Sequence, residues 1–258
     1  MQNLHIARSD PLVLADATGQ PTPTTASSST GLPRQATVYS QCIVPGTVGV
    51  TFDDGPSNNT KLIMDQFDAI GAKVTFFVNG YNYDCIYDFA SVLQTAYQNG
   101  HQIGSHTWSH PHMPTLTDDA ALTEITKNED AIQAILGRIP TYFRFPFGEY
   151  NDSHIAVLNS RGYKVVAMWN LDSGDSSGFT VDQSKQIYDT ANGTDFYLAL
   201  NHDPDVTTAV TMVPYIINWA RQKNLKIVTV GECLGDPPTE WYKTTTNTFG
   251  AGPYPACV

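Results

Sequence analysis

Two aspartates stand side by side in Thr51-Phe52-Asp53-Asp54-Gly55-Pro56, and two histidines stand four apart in Ser105-His106-Thr107-Trp108-Ser109-His110. Two imidazoles and one carboxylate make an N,N,O donor set, and three protein ligands with an open position describe a catalytic zinc site. A divalent metal held there polarises a carbonyl and lowers the pKa of its water towards about 7. Adjacent carboxylates repel each other unless cations hold both charges. The metal can serve Asp54, and Arg144 can serve Asp53, which is then left to take a proton from water. His202, in Leu200-Asn201-His202-Asp203, becomes the general acid for the leaving group, oriented by an acidic neighbour such as Asp172. The reaction class is metal-assisted hydrolysis of an acyl bond.

Taken singly, each of these features is ordinary. Asp-Asp-Gly-Pro makes a good turn, H-x-x-x-H is often a pair of solvated histidines, and a lone Arg often completes a structural ion pair. Position sets them apart. From residue 43 onward, short apolar runs rich in β-branched and aromatic residues alternate with helical patterns. The expected strands are 48–52, 73–78, 101–105, 141–145, 163–168, 195–200 and 225–230. Helices are expected at 60–70, 86–98, 153–160, 180–190 and 207–222, with a long one between the Thr117 N-cap and Gly137. Seven strands separated by helices or long loops imply a parallel α/β architecture. No Gly-x-Gly-x-x-Gly follows the first strand, which argues against a dinucleotide-binding sheet. A single-domain, distorted (β/α) barrel of seven parallel strands fits better, and barrel sites sit at the carboxyl ends of strands. Asp53 and Asp54, His106 and His110, Arg144, Asp172, and His202 follow five different strands and converge on that rim.

Composition narrows the partners. The chain has 258 residues, with 14 Lys and Arg against 25 Asp and Glu, a formal net charge of −11. That sign and the lack of a basic cluster argue against nucleic acid, and no apolar run approaches the roughly 20 residues of a membrane span. Only 15% of residues are charged, against about 25% in an average chain, which suits a secreted protein meeting a neutral polymer. Cys42, Cys85, Cys233 and Cys257 are widely spaced, with no C-x-x-C pair. Two disulfides and an oxidising compartment follow, with three pairings open. The short apolar stretch 12–15 is no secretory leader, so a secreted form is expected to be mature or trimmed. Gly174-Asp175-Ser176-Ser177-Gly178 matches the G-x-S-x-G nucleophile elbow of serine hydrolases. The chain has already left its strand there, and the next helix starts only near Thr180, which argues against Ser176 as a nucleophile.

Together, Thr51-Phe52-Asp53-Asp54-Gly55-Pro56, His106…His110, Arg144-x-Pro146-Phe147 and Leu200-x-His202 resemble the successive signatures of polysaccharide deacetylases, carbohydrate esterase family 4 or the NodB-homology domain. The likeness spans roughly residues 43–235. It implies Asp53 as catalytic base, Asp54, His106 and His110 as metal ligands, and Arg144 as the tether of the base. It further implies His202 as catalytic acid and Phe147 as the residue whose backbone N–H helps bind the oxyanion. The family's fourth signature, Asp-x-x-Asp-Trp, is altered, because Asp172-Ser173-Gly174-Asp175 is followed by Ser176. The wall of the acyl pocket is then expected from Trp169 or Trp108, beside Leu200, with Trp108, Phe147 and Tyr150 as rim aromatics for stacking on sugars.

Residues 229–236 resemble fungal chitin deacetylases in particular, which implies a Cys42–Cys233 disulfide and leaves Cys85 with Cys257. Thr/Ser/Pro-rich composition implies a flexible arm over residues 1–40, followed by the expected catalytic domain over 41–236 and a packed or disulfide-tethered extension over 237–258. The expected protein is a secreted or cell-wall, monomeric, metal-dependent chitin deacetylase that takes chitin or its oligomers. Its metal is expected to be zinc, with cobalt or another divalent ion as alternatives. The rival readings are an acetylxylan or other O-acetyl esterase, a catalytically silent carbohydrate-binding protein, and a serine hydrolase.

Overall fold

The computed structural model describes residues 35–192, 196–244 and 252–257. In chain order the strands are β1 Thr37–Tyr39, β2 Thr47–Gly55, β3 Thr75–Val78, β4 Gln102–Ser105, β5 Arg138–Pro140, β6 Tyr142–Phe143, β7 Val165–Ala167, β8 Leu171–Asp172, β9 Tyr197–His202, β10 Lys226–Val228 and β11 Tyr242–Thr244. The helices are α1 Thr60–Asp68, α2 Ala90–Gln98, α3 Asp118–Leu136, α4 Asp152–Ser160, α5 Val181–Thr190, α6 Val213–Gln222 and α7 Val230–Cys233.

Nine strands build the main sheet in the order β1-β7-β6-β4-β3-β2-β9-β8, with β10 added beside β2. Every pairing in it is parallel. The seven expected strands are all present. The two additional ones, β1 and β8, are three and two residues long, too short to show a periodic signal. The sheet curls into a half-barrel whose open edges are β1 and β8. Met168 to Asn170 carry the chain across that opening: Met168 N–H donates to Tyr39 at 2.7 Å and Asn170 N–H to Leu198 at 3.2 Å. This is the distorted, incompletely closed (β/α) barrel.

Local sequence explains the elements. All nine residues of β2 are buried, as a central parallel strand covered on both faces must be. Phe52 packs between Phe67 and Phe76, at ring separations of 5.8 and 5.7 Å. Helix α3 begins where the Thr117 hydroxyl accepts the Ala120 N–H, carries Asp118 and Asp119 in its first turn, and ends on left-handed Gly137. Capping boxes start α4 at Asn151 and α5 at Thr180. Ahead of α6, Thr208–Met212 form a π-helical turn, a local widening of the helix that often marks a functional site.

The described residues, 35 onward, belong to one compact unit. Its boundary corrects the expected arm of residues 1–40, because Thr37–Tyr39 is a strand paired with β7. The rest of that arm, 1–34, lies outside the described residues. At the other end, β11 pairs antiparallel with β5 and Trp241 is buried. Disulfides join Cys42 to Cys233 and Cys85 to Cys257. No helix among the described residues is long and apolar enough to cross a membrane.

Candidate active site

Parallel pairing sets the register of the rim. Asp53 on β2 lies directly opposite His202 on β9. Between β2 and β3 the register slips between Asp53 and Gly55, and Asp54 adopts a left-handed backbone with φ of 68°. Successive strand residues normally face opposite ways, and a bulge re-aims one of them. This one lets neighbouring carboxylates line the same cleft.

That cleft, about 520 Å³, is lined by Asp53, Asp54, His106, His110 and His202 among others. A hollow of about 570 Å³ lies at the opposite, amino ends of the strands, around Gly46, Ile70 and Ile227. It is bordered by aliphatic groups with Arg221 and Lys226 and brings no acid–base pair together.

Asp54, His106 and His110 place one ligand atom each within 4.8 Å of one another. Asp54 Oδ1 is 3.5 Å from His106 Nε2 and 3.2 Å from His110 Nε2. It is buried without a hydrogen-bond partner. His106 Nδ1 lies 2.8 Å from the Arg144 carbonyl. A carbonyl only accepts, so Nδ1 carries the proton and Nε2 turns a lone pair towards Asp54. Burial lowers the pKa of His106 and of His110 to about 3, and burial first, then the charge of Asp53, lifts Asp54 to about 7. A bare His106 lone pair, the His110 ring nitrogen and an orphaned buried carboxylate oxygen converge on one point, so these residues fit a divalent metal. Two imidazoles and one carboxylate are a donor set suited to a divalent cation. The backbone pays for this arrangement in strain: Thr107 and His110, like Asp54, have positive φ, of 72° and 56°.

Arg144 is fully buried. Its Nη1 donates to Asp53 Oδ1 at 2.9 Å and to Thr51 Oγ1 at 2.5 Å, while Nε and Nη2 donate to the carbonyls of Ala167 and Met168. Burial pushes the Asp53 carboxyl above its ordinary range, against the pull of Arg144 and His202.

Across the cleft, His202 meets Asp175 and not the expected Asp172. His202 Nδ1 is 2.6 Å from Asp175 Oδ1, and Asp175 Oδ2 accepts the His202 N–H at 2.8 Å and the Thr208 hydroxyl at 2.6 Å. Burial opposes protonation of His202, yet the hydrogen bond and charge of Asp175 outweigh it and lift the pKa to about 9. Asp172 is still in β8, opposite Leu200, two residues short of His202. It accepts the Trp169 indole N–H at 3.1 Å and caps the Gly174 N–H at 2.8 Å. Left-handed Gly174, with φ of 71°, turns the chain back so that Asp175 arrives beside the histidine. That glycine was the signal available in the sequence.

The expected substrate-contacting residues divide. Trp169 and Leu200 line the cleft, as does Phe147, which is half exposed at φ of 57°. The His112 ring stacks on Phe147 at 4.0 Å. Trp108 does not line the cleft: it is buried against Gly80, where an added Cβ would come within 1.9 Å of its ring, and Lys127 covers it at 4.5 Å. Tyr150 turns away too, stacking on Phe145 at 4.9 Å in a neighbouring core cluster. Tyr83 and Asn82 line the cleft unforeseen. Ser176 also lines it, but within a 3₁₀ turn instead of the strand–helix elbow a serine nucleophile needs. That geometry disfavours a serine nucleophile.

The sequence profile described as Polysaccharide deacetylase matches residues 41–166. The chain is 38% identical to a chitin deacetylase of Pestalotiopsis sp over 81% of its length and 70% of that protein. It is also 38% identical to a probable peptidoglycan-N-acetylglucosamine deacetylase of Arthroderma benhamiae, over 81% of its length but 48% of that protein. The solved chitin deacetylase of Colletotrichum lindemuthianum superposes with a TM-score of 0.77 at 31% identity, covering 82% of this chain and 97% of that one.

Proposed function

Because the chain belongs to the polysaccharide deacetylase family, we propose that it is a metal-dependent hydrolase removing N-acetyl groups from β-1,4-linked N-acetylglucosamine in chitin or its oligomers. One observation carries the reading. A single cleft holds an Asp–His–His ligand set beside an arginine-tethered carboxylate, and faces a carboxylate-paired imidazole. The similarity to fungal chitin deacetylases supports the substrate class.

Asp54, His106 and His110 would hold the cation, which supplies Lewis acidity towards the acetyl carbonyl. The N,N,O set supports zinc over harder ions that prefer all-oxygen shells. Asp53 keeps one oxygen on Arg144 and turns the other, Oδ2, towards the metal side, 3.7 Å from His106 Nε2. From there it takes the proton of the attacking water. His202 has Nδ1 committed to Asp175, which leaves Nε2 to protonate the departing amine as the carbon–nitrogen bond breaks. A pKa of about 9 keeps that proton in place at neutral pH. The backbone N–H of Phe147 is the oxyanion donor on this reading, and Leu200 with Trp169 wall the acetyl methyl.

Every group in this scheme comes from one chain, which supports a monomer. The domain reading becomes an arm before residue 35, a catalytic domain from about 36 to 236 and a C-terminal extension joined to it by Cys85–Cys257. Two disulfides support a secreted or cell-wall location.

The deciding measurement is acetate release from a defined chitooligosaccharide, with and without chelator, beside the same assay on acetylxylan. Release from the chitooligosaccharide that chelation abolishes is expected. Release from xylan alone would overturn the substrate class, and chelator-indifferent release would overturn the metal centre.

A further inference from the structure

A hairpin on the cleft rim is held from two sides. Its legs are joined by a bridge between Tyr81 and Cys85, and its tip is Asn82-Tyr83-Asp84. The first leg is anchored to the metal-ligand segment: Tyr81 N–H donates to the Trp108 carbonyl at 2.7 Å, between His106 and His110. The second leg is anchored to the C-terminal segment through the Cys85–Cys257 disulfide. Two residues further on, the Tyr254 ring stacks on Tyr87 at 5.5 Å and 15°, and its hydroxyl accepts from Gln94 at 3.2 Å. The tip residue Tyr83 lines the catalytic cleft yet is 63% exposed. No packing among the described residues requires an aromatic ring there.

We infer that Tyr83 is a sugar-stacking platform next to the reacting unit, and that the disulfide-tethered C-terminal segment is the brace that positions it. The inference rests on the deacetylase reading above. A β-1,4-linked pyranose with equatorial substituents presents axial C–H faces that cover an aromatic ring, while the phenol hydroxyl reaches the sugar's polar edge. Tyr83 is one residue before Asp84 and two before Cys85, so a bond at Cys85 limits how far the tip can swing. Fixing the tip in advance removes an ordering cost from binding. Neither element touches the proton-transfer groups, so both act on substrate affinity. The effect grows for oligomers long enough to reach the ring.

The test is steady-state acetate release from chitin dimer, tetramer and hexamer by the full chain loaded with zinc. Tyr83→Ala is expected to raise KM for tetramer and hexamer by roughly three- to tenfold, matching an aromatic contact of about 0.5–1.5 kcal/mol. The kcat should stay within about twofold, and Tyr83→Phe should keep most of the affinity. The double variant Cys85→Ser/Cys257→Ser should reproduce the rise in KM and add nothing on a Tyr83→Ala background, because the brace works through that ring. If the double variant does not fold, Tyr254→Ala replaces it, with a smaller rise in KM expected and the same non-additivity. Unchanged KM in Tyr83→Ala, or additive effects in the combined variant, would overturn the inference while wild-type activity upheld the deacetylase reading. A wild-type protein that releases no acetate from any oligomer would overturn both.

Discussion

His202 and Asp175 share two contacts, a ring nitrogen against one carboxylate oxygen at 2.6 Å and a backbone N–H against the other at 2.8 Å. The first fixes which ring nitrogen points at the cleft, and the second fixes the carboxylate to the strand that carries the ring. Asp175→Asn removes the charge that lifts His202 to about 9. Activity should fall by about 10²–10⁴-fold, and the alkaline limb of the pH–rate profile should move to lower pH. Asp172→Asn should cost far less. Equal losses would mean that the pairing does not serve catalysis.

The same pair carries a pH signature in stability. His202 rises from 6.5 to about 9 on folding, so its contribution is complete below 6.5 and is lost as pH climbs through 9. Asp175 is held below its ordinary 3.8, because the hydrogen bond and charge of His202 outweigh the effect of burial. Its contribution is present above 3.8 and lost as pH falls through the folded value. Thermal melts of the metal-free protein should show a wild-type advantage over Asp175→Asn that peaks between these limits. A pH-independent difference would refute the linkage.

Asp53 and Asp54 are neighbours to which the proposed mechanism gives separable duties. Asp53→Asn should lower kcat by about 10²–10⁴-fold with bound zinc retained near one equivalent. Asp54→Asn should lose zinc as well as activity. Metal analysis of the purified variants distinguishes them, and loss of zinc from both would merge the two roles.

Cation binding should also be visible without substrate. A ligand that binds only the folded state stabilises it by about 2.7 kcal/mol at a hundredfold excess over Kd. Zinc titrated into stripped protein should therefore raise the melting temperature, and His110→Ala should abolish that increment. A shift that persists in His110→Ala would locate the ion elsewhere.

Trp108 fits because Gly80 has no side chain. Gly80→Ala should destabilise the fold by about 1–3 kcal/mol, read from denaturant unfolding. An unchanged midpoint would show that the indole has room to move.

How far the sequence reached follows from what each inference needed. Strand ends and ligand spacing place Asp54, His106 and His110 together, since parallel pairing brings successive strand ends to one rim. Choosing between Asp172 and Asp175 required the turn at Gly174, and a three-residue difference in position carries no such information. Trp108 lies between two ligands in the chain, but the left-handed Thr107 beside it directs the ring inward. Adjacency along a loop does not give direction. Strands β1 and β8 are too short to have a period, and the role of Tyr83 depends on a cysteine contact 172 residues away.

Arg144 grips Asp53 with its guanidinium and His106 with its own carbonyl. The proposed proton acceptor and the proposed imidazole ligand are thus both referenced to a single amino acid, whose buried side chain is also pinned to the carbonyls of Ala167 and Met168 at the end of β7. Whatever displaces Arg144 therefore acts on both groups at once. Rim loops can then be lengthened, shortened or exchanged to reach different polymers without recalibrating the distance on which bond cleavage depends.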